Sequence, residues 1–205
     1  YEWLTYDSVD QVRFASLPGM FDRTVTLGSA GKGFSVTGWK VGWAFGPEPL
    51  IAAMLHIHQN LPFCHGTPLQ EALAVLVEGM LGDDSYLCDF KAQFSQKRSY
   101  LCEVLERSGL PVVRPQGSYF ALADFSGVSE RHYLRADPRE DPVDYQFCRW
   151  LTTEIGVTAI PPSAFYDQPT SLARDHRYAR FCFAKDDSTL SDAELRLRSL
   201  VKYMD

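Results

Sequence analysis

An α/β fold is predicted for this chain on three observations: short β-branched or aromatic runs ending at glycine or proline, amphipathic stretches of helical length, and the alternation of the two. Thr24–Leu27 (TVTL) reads as a strand that stops in a turn from Gly28 to Gly33, and Val41–Phe45 reads as a second strand after Gly38. Pro49–Asn60 reads as a helix. Another begins at Thr67-Pro68-Leu69-Gln70, with Thr67 as N-cap, Pro68 in the first turn and Gln70 closing a capping box. Its apolar run from Leu69 to Leu81 is expected to be deeply buried.

From Asp83 to Ser108, Tyr86, Phe90, Phe94, Leu101, Val104 and Leu105 recur at helical spacing, and Gly109 can take the left-handed position that ends the helix. A helix of this length is expected to bridge two lobes. Beyond it come Val112-Val113, a Pro115-Gln116-Gly117 turn, a strand over Tyr119–Phe125 and a charged surface loop over Ser126–Pro142. Val143–Ile155 reads as a helix stopped by Gly156, and Val157–Ile160 and Tyr178–Ala184 read as strands. Ser191-Asp192-Ala193-Glu194 opens a last helix, with Leu190, Ala193, Leu197, Leu200, Val201 and Met204 as its apolar stripe. The expected organisation is 1–82 as the closing part of a larger sheet domain, 83–108 as the bridging helix, and 109–205 as a small α/β domain.

At 205 residues and 45% hydrophobic, the chain can bury a core of its own. A net charge of -6, with lysines and arginines scattered, offers no basic stripe for a phosphate backbone, so nucleic acid is not an expected partner. No apolar run approaches the roughly 20 residues of a membrane span, and YEWLTYDSVD lacks the basic start and apolar stretch of a signal peptide. The five cysteines form no C-x-x-C pair and read as reduced thiols of a cytosol-like compartment. His56 and His58, two apart on a helix, face different sides, so no metal site is expected. The start at an aromatic stretch rather than a Met suggests a piece of something longer.

Residues 28–46, GSAGKGFSVTGWKVGWAFG, hold six glycines and two lysines. A P-loop fails twice: Thr26 stands where its first Gly belongs, and Gly33 where its Ser or Thr belongs. The dinucleotide-binding pattern G-x-G-x-x-G is not formed either. Two readings stay open. In one, a strand delivers Lys32 into a low-bulk turn where desolvation and a neighbouring cation, Lys40, free its amine to form a Schiff base, while bare glycine backbone and the Ser29 hydroxyl admit a phosphate. In the other, the stretch is a polar turn with two solvated lysines.

The strings Ser29-Ala30-Gly31-Lys32-Gly33-Phe34-Ser35 and Thr37-Gly38-Trp39-Lys40-Val41-Gly42-Trp43 closely resemble the lysine segment of class I (fold-type I) pyridoxal-phosphate aminotransferases, in the branch of kynurenine aminotransferases, glutamine transaminase K and cysteine-conjugate β-lyases. The resemblance continues through Ala15–Met20, His58-Gln59-Asn60, Pro115–Phe120, Gly156–Pro161 and Arg180–Phe183, in family order. It implies the C-terminal part of the large, mostly parallel-sheet cofactor domain followed by the small C-terminal domain. It implies pyridoxal 5'-phosphate as cofactor, held covalently by Lys32, with Ser29 and Lys40 on its phosphate and Tyr1 on its ring hydroxyl. Arg180 is implied to pair with the substrate carboxylate, and Phe63 to line the substrate pocket across a homodimer interface.

The resemblance implies transamination between an L-amino acid (kynurenine, glutamine, aromatic or sulfur amino acids) and a 2-oxo acid, with β-elimination from cysteine conjugates as a side activity. The expected compartment is cytoplasmic, with mitochondrial as the second, since a targeting signal would precede Tyr1. It also implies that an aspartate, an asparagine, a stacking aromatic and the first phosphate-binding turn precede Tyr1, so that this piece alone is expected to be weakly active or inactive. Cys64-His65-Gly66 departs from the family pattern beside Phe63 and leaves the preferred substrate open. The competing expectation is a non-catalytic module for dimerisation or interaction.

Overall fold

The computed structural model describes residues 1–134, 141–167 and 176–205. They form two compact units, Tyr1–Lys91 and Ala92–Asp205, and the dividing point falls inside one long helix, Ser85–Arg107. The predicted surface loop over 126–142 falls partly on residues 135–140, outside the described residues. Among the described residues no helix is long and apolar enough to cross a membrane.

The first unit is organised by an antiparallel hairpin. Strands β1 (Thr26–Ser29) and β2 (Gly42–Phe45) pair in the register Thr26↔Phe45 to Ser29↔Gly42, so the two predicted strands are each other's partners. One helical turn, α1 (Ala30–Gly33), follows β1, and a 3-10 turn at Thr37–Trp39 precedes β2. Where the sequence suggested a tight turn from Gly28 to Gly33, the chain stays extended to Ser29 and then coils, because Ala30 N–H donates to Val41 O (3.1 Å) and Phe34 N–H to Ala30 O (2.9 Å). Helices α2 (Glu48–His58) and α3 (Thr67–Gly79) come next.

Thr67 is not the N-cap of α3: Gly66 takes that position, no side chain caps it, and Gln70 Nε2 donates to His65 O (3.2 Å). Pro68 in the first turn has no N–H to satisfy, which leaves fewer donors for a cap to meet. Nor is the run from Leu69 to Leu81 buried throughout. Leu69, Leu73, Leu76 and Met80, at helical spacing, pack on a small core of Ala30, Phe34, Val41, Trp3, Trp39 and Trp43, while Val75, Val77 and Leu81 are exposed, because one face of a helix reaches one neighbour.

The second unit contains the antiparallel sheet β3 (Val112–Val113), β4 (Phe120–Asp124) and β5 (Tyr178–Cys182), with β4 in the middle. Both longer strands alternate, burying Ala121, Ala123, Ala179 and Phe181 on one face. Also buried in this unit are Leu101, Cys102, Val104 and Leu105 of α4 (Ser85–Arg107), Phe147 and Trp150 of α5 (Val143–Trp150), and Leu190 and Leu197 of α6 (Asp187–Leu197). Phe125 and Phe147, both fully buried, stack at 3.9 Å between centroids. Gly109 and Gly156 sit at φ +87° and +79°, in the left-handed positions expected after their helices.

Two predicted elements change. Val157–Ile160 is not a strand; only Ile160 bridges, to Arg180, and Pro162, the next position along that would donate to β5, has no N–H to extend the ladder. The last helix begins at Asp187, four residues before the expected Ser191, anchored by buried Leu190.

Candidate active site

The lysine turn is built by close packing. A Cβ on Gly31 would lie 2.9 Å from Thr37 Cα, and one on Gly33 would lie 2.1 Å from the Trp3 ring; Thr37 Oγ1 donates to Gly31 O (2.9 Å) and Tyr86 OH to Gly33 O (3.3 Å). Burial pushes the Tyr86 phenol up, which keeps it a neutral donor. Both peptide neighbours of Lys32 are thus pinned, and Lys32 alone of the four residues of α1 escapes full burial. At Gly28, Gly31, Gly33 and Gly42 the space a Cβ would need is filled by Trp43, Thr37, Trp3 and the Gly28 carbonyl. These glycines therefore serve close approach of protein to protein, where the sequence had suggested room for a phosphate.

Lys32 Nζ stands 5.7 Å from the centroid of the Tyr1 ring. Ser29 ends β1 opposite Gly42, and Lys40, exposed and left-handed at φ +57°, lies two residues before Gly42, so the hairpin register carries Ser29, Lys32 and Lys40 to one end of the pair. Among the described residues neither lysine meets a carboxylate. An amine, a second ammonium, a hydroxyl and a phenol make a donor set that fits an anionic aldehyde such as pyridoxal phosphate. Phe63 lies in the α2–α3 connection, 78% exposed and strained at φ +66°.

Arg180 belongs to the second unit. It lies in β5 opposite Leu122, on the face away from the buried alanines, and Phe120 is its diagonal neighbour on β4. Ile160 exchanges both backbone hydrogen bonds with it (2.9 and 3.0 Å). Its guanidinium carbon lies 4.2 Å from the Phe120 ring centroid and 4.7 Å from that of Phe165. Its Nε is buried and, among the described residues, has no hydrogen-bond partner. A planar cation held by two rings, with an unmet donor, is suited to a carboxylate. Phe120 and Phe165 were not singled out from the sequence as site residues. Alternation in 120–124 and 178–182 is visible there, but the register that sets Phe120 beside Arg180 is not.

A model of the family described as aminotransferase class I and II matches residues 2–193. Kynurenine–oxoglutarate transaminase of Dictyostelium discoideum is 43% identical over 98% of this chain and 47% of its own length, and kynurenine–oxoglutarate transaminase 1 of Homo sapiens is 39% identical over 97% and 48%. Among solved structures, Bna3p of Saccharomyces cerevisiae superposes with a TM-score of 0.89 at 33% identity, over 100% of this chain and 48% of that one. YbdL of Escherichia coli, for which a methionine aminotransferase function was identified, gives 0.80 at 36%, over 97% and 47%. The chain spans about half the length of the curated relatives it matches.

Proposed function

The chain belongs to the class I and II aminotransferase family, and from that premise we propose that it takes part in pyridoxal-phosphate-dependent transfer of an amino group from an L-amino acid to a 2-oxo acid. The observation that carries this reading is Lys32, on a turn pinned at Gly31 and Gly33, its amine beside the Tyr1 ring and facing no carboxylate among the described residues. Lys32 would hold the cofactor through its aldehyde carbon, Ser29 and Lys40 its phosphate, and Tyr1 its ring hydroxyl. When bound, pyridoxal phosphate supplies an electron sink for the bond broken at the substrate Cα.

Lys32 Nζ takes the Cα proton, and its rigid turn limits how far the amine strays from that atom. Arg180 orients the substrate by its α-carboxylate, where the guanidinium fork meets both oxygens. Phe63, exposed and held out by its strained backbone, would line the pocket from a second copy in a homodimer. Relatives named for kynurenine and oxoglutarate support kynurenine as a donor, and the methionine aminotransferase function of YbdL supports a sulfur amino acid; glutamine and aromatic amino acids are proposed beside them from the resemblance of the lysine segment. Cysteine conjugates are proposed for β-elimination, since loss of the Cα proton lets a leaving group depart from Cβ. We further propose the domain division at 1–82, 83–108 and 109–205.

Reduction with borohydride in the presence of pyridoxal phosphate, followed by peptide mapping, tests the reading: label concentrated on Lys32 and absent from Lys32→Ala supports it, and label spread over surface lysines overturns it. The exposed apolar side chains Leu27, Phe45, Val75 and Leu81 favour a second reading, a non-catalytic interaction module, which spread label would support.

A further inference from the structure

Asp144 is a carboxylate with no exposed surface, a costly state unless it is fully hydrogen-bonded. Among the described residues its partners are Ser163, whose N–H and Oγ–H both donate to it at 2.7 Å, and His176, whose Nδ1 lies 4.0 Å away. Ser163 is itself buried and sits in the 3-10 turn Pro162–Phe165. Three residues before Ser163, Ile160 is tied to the Arg180 backbone; two residues after it, Phe165 lays its ring against the Arg180 guanidinium. Phe165 is 65% exposed, so little packing of its own holds the ring there. Its place is set by the backbone of the turn, and that backbone is held by two charge-assisted bonds to Asp144.

We propose that Asp144 and Ser163 are positioning residues for the carboxylate site: the carboxylate on α5 grips the 162–165 turn and so fixes Phe165 against Arg180. This rests on Arg180 being the carboxylate-binding residue. With the ring held at 4.7 Å the guanidinium loses freedom before any ligand arrives, and its unmet Nε donor stays aimed at one place. Without the grip, the exposed ring leaves and the arginine samples other rotamers.

The test uses the 205-residue chain, with 3-phenylpropionate and its neutral amide, 3-phenylpropanamide, as probes, each titrated by NMR while the Arg180 Nε–Hε resonance is followed. The unaltered chain is expected to prefer the carboxylate, with that resonance shifting for the propionate alone. Arg180→Gln should lose about tenfold or more in propionate affinity, the scale of hydrogen bonds to a charged group. Asp144→Ala, Ser163→Ala and Phe165→Leu should each weaken propionate binding by roughly threefold to tenfold, the scale of a partly desolvated cation–π contact. They should shrink the Nε shift and leave amide binding as it was.

Asp144→Asn keeps an oxygen for the Ser163 N–H and should retain most of the affinity. In the Phe165→Leu background Asp144→Ala should add nothing, because the ring it positions is gone. If Arg180→Gln changes nothing, the arginine reading itself falls. If Arg180→Gln acts as expected but the Asp144 and Phe165 effects simply add, or Asp144→Ala leaves the affinity and the Nε resonance unchanged, the positioning role is wrong and the arginine reading stands. Should Asp144→Ala not fold, Ser163→Ala combined with Phe165→Leu gives the same cycle.

Discussion

Gly33→Ala is expected to destabilise the unit that carries Lys32, whereas Gly79→Ala stabilises it. A Cβ on Gly33 falls 2.1 and 2.5 Å from two carbons of the Trp3 ring. Carbons rest at about 3.5–4.0 Å, so the indole must retreat by about 1.5 Å. Its ring packs on Phe34 at 5.4 Å as a partly buried member of the small core, so it can retreat into the adjoining cavity only by giving up that contact. Overpacking of this kind costs about 1–3 kcal/mol. Gly79 closes α3 with nothing within 4 Å of a built Cβ. Alanine there stabilises by about 0.5–1 kcal/mol, through the backbone freedom glycine loses on folding. The two variants should therefore differ by about 1.5–4 kcal/mol. Urea denaturation followed by tryptophan fluorescence reads this unit well, since Trp3, Trp39 and Trp43 lie in it and only Trp150 lies outside. Equal midpoints for the two variants would refute the argument that Trp3 pins the lysine turn.

Phe147→Ala removes a fully buried ring stacked on Phe125 and should cost the second unit about 3–5 kcal/mol, read as a loss of near-ultraviolet ellipticity at lower urea. Burial, with the Asp144 charge adding to it, pushes the Cys148 thiol up to about 12, and burial also raises Cys102, so iodoacetamide near neutral pH should label the exposed Cys64 and Cys88 and reach those two only after denaturation. The Ser85 N–H and hydroxyl hold the Asp83 carboxyl below its ordinary value, and Tyr100 and Arg198 do the same for Glu194. Both groups stabilise the fold above the unfolded carboxylate value, roughly 4, and stop doing so as pH falls through their lower folded values. The urea midpoint should therefore drop between about pH 5 and 3, and Asp83→Asn with Glu194→Gln should flatten that drop.

Much of the fold is legible locally. The turn glycines Gly109 and Gly156, the long helix over 85–107 and the strands at 120–124 and 178–182 follow from spacing, because helix and strand periods are properties of short stretches. The failures have one cause. Whether Leu81 is buried, whether Val157–Ile160 finds a ladder, and what fills the space above Gly33 all depend on a neighbour distant in sequence, and periodicity carries no record of it.

By itself, then, the sequence determined the α/β class, the family through its lysine segment, and the residue types on which the proposed chemistry rests: an amine at Lys32, cations at Lys40 and Arg180, a phenol at Tyr1. Tertiary structure decided what those groups stand against. Trp3 closes over Gly33 from thirty residues upstream, and Asp144 reaches Ser163 and, through its turn, sets Phe165 on Arg180. Side-chain chemistry is a property of single residues and is written in the chain, whereas the burial and contact that aim it arise only when remote segments fold onto one another.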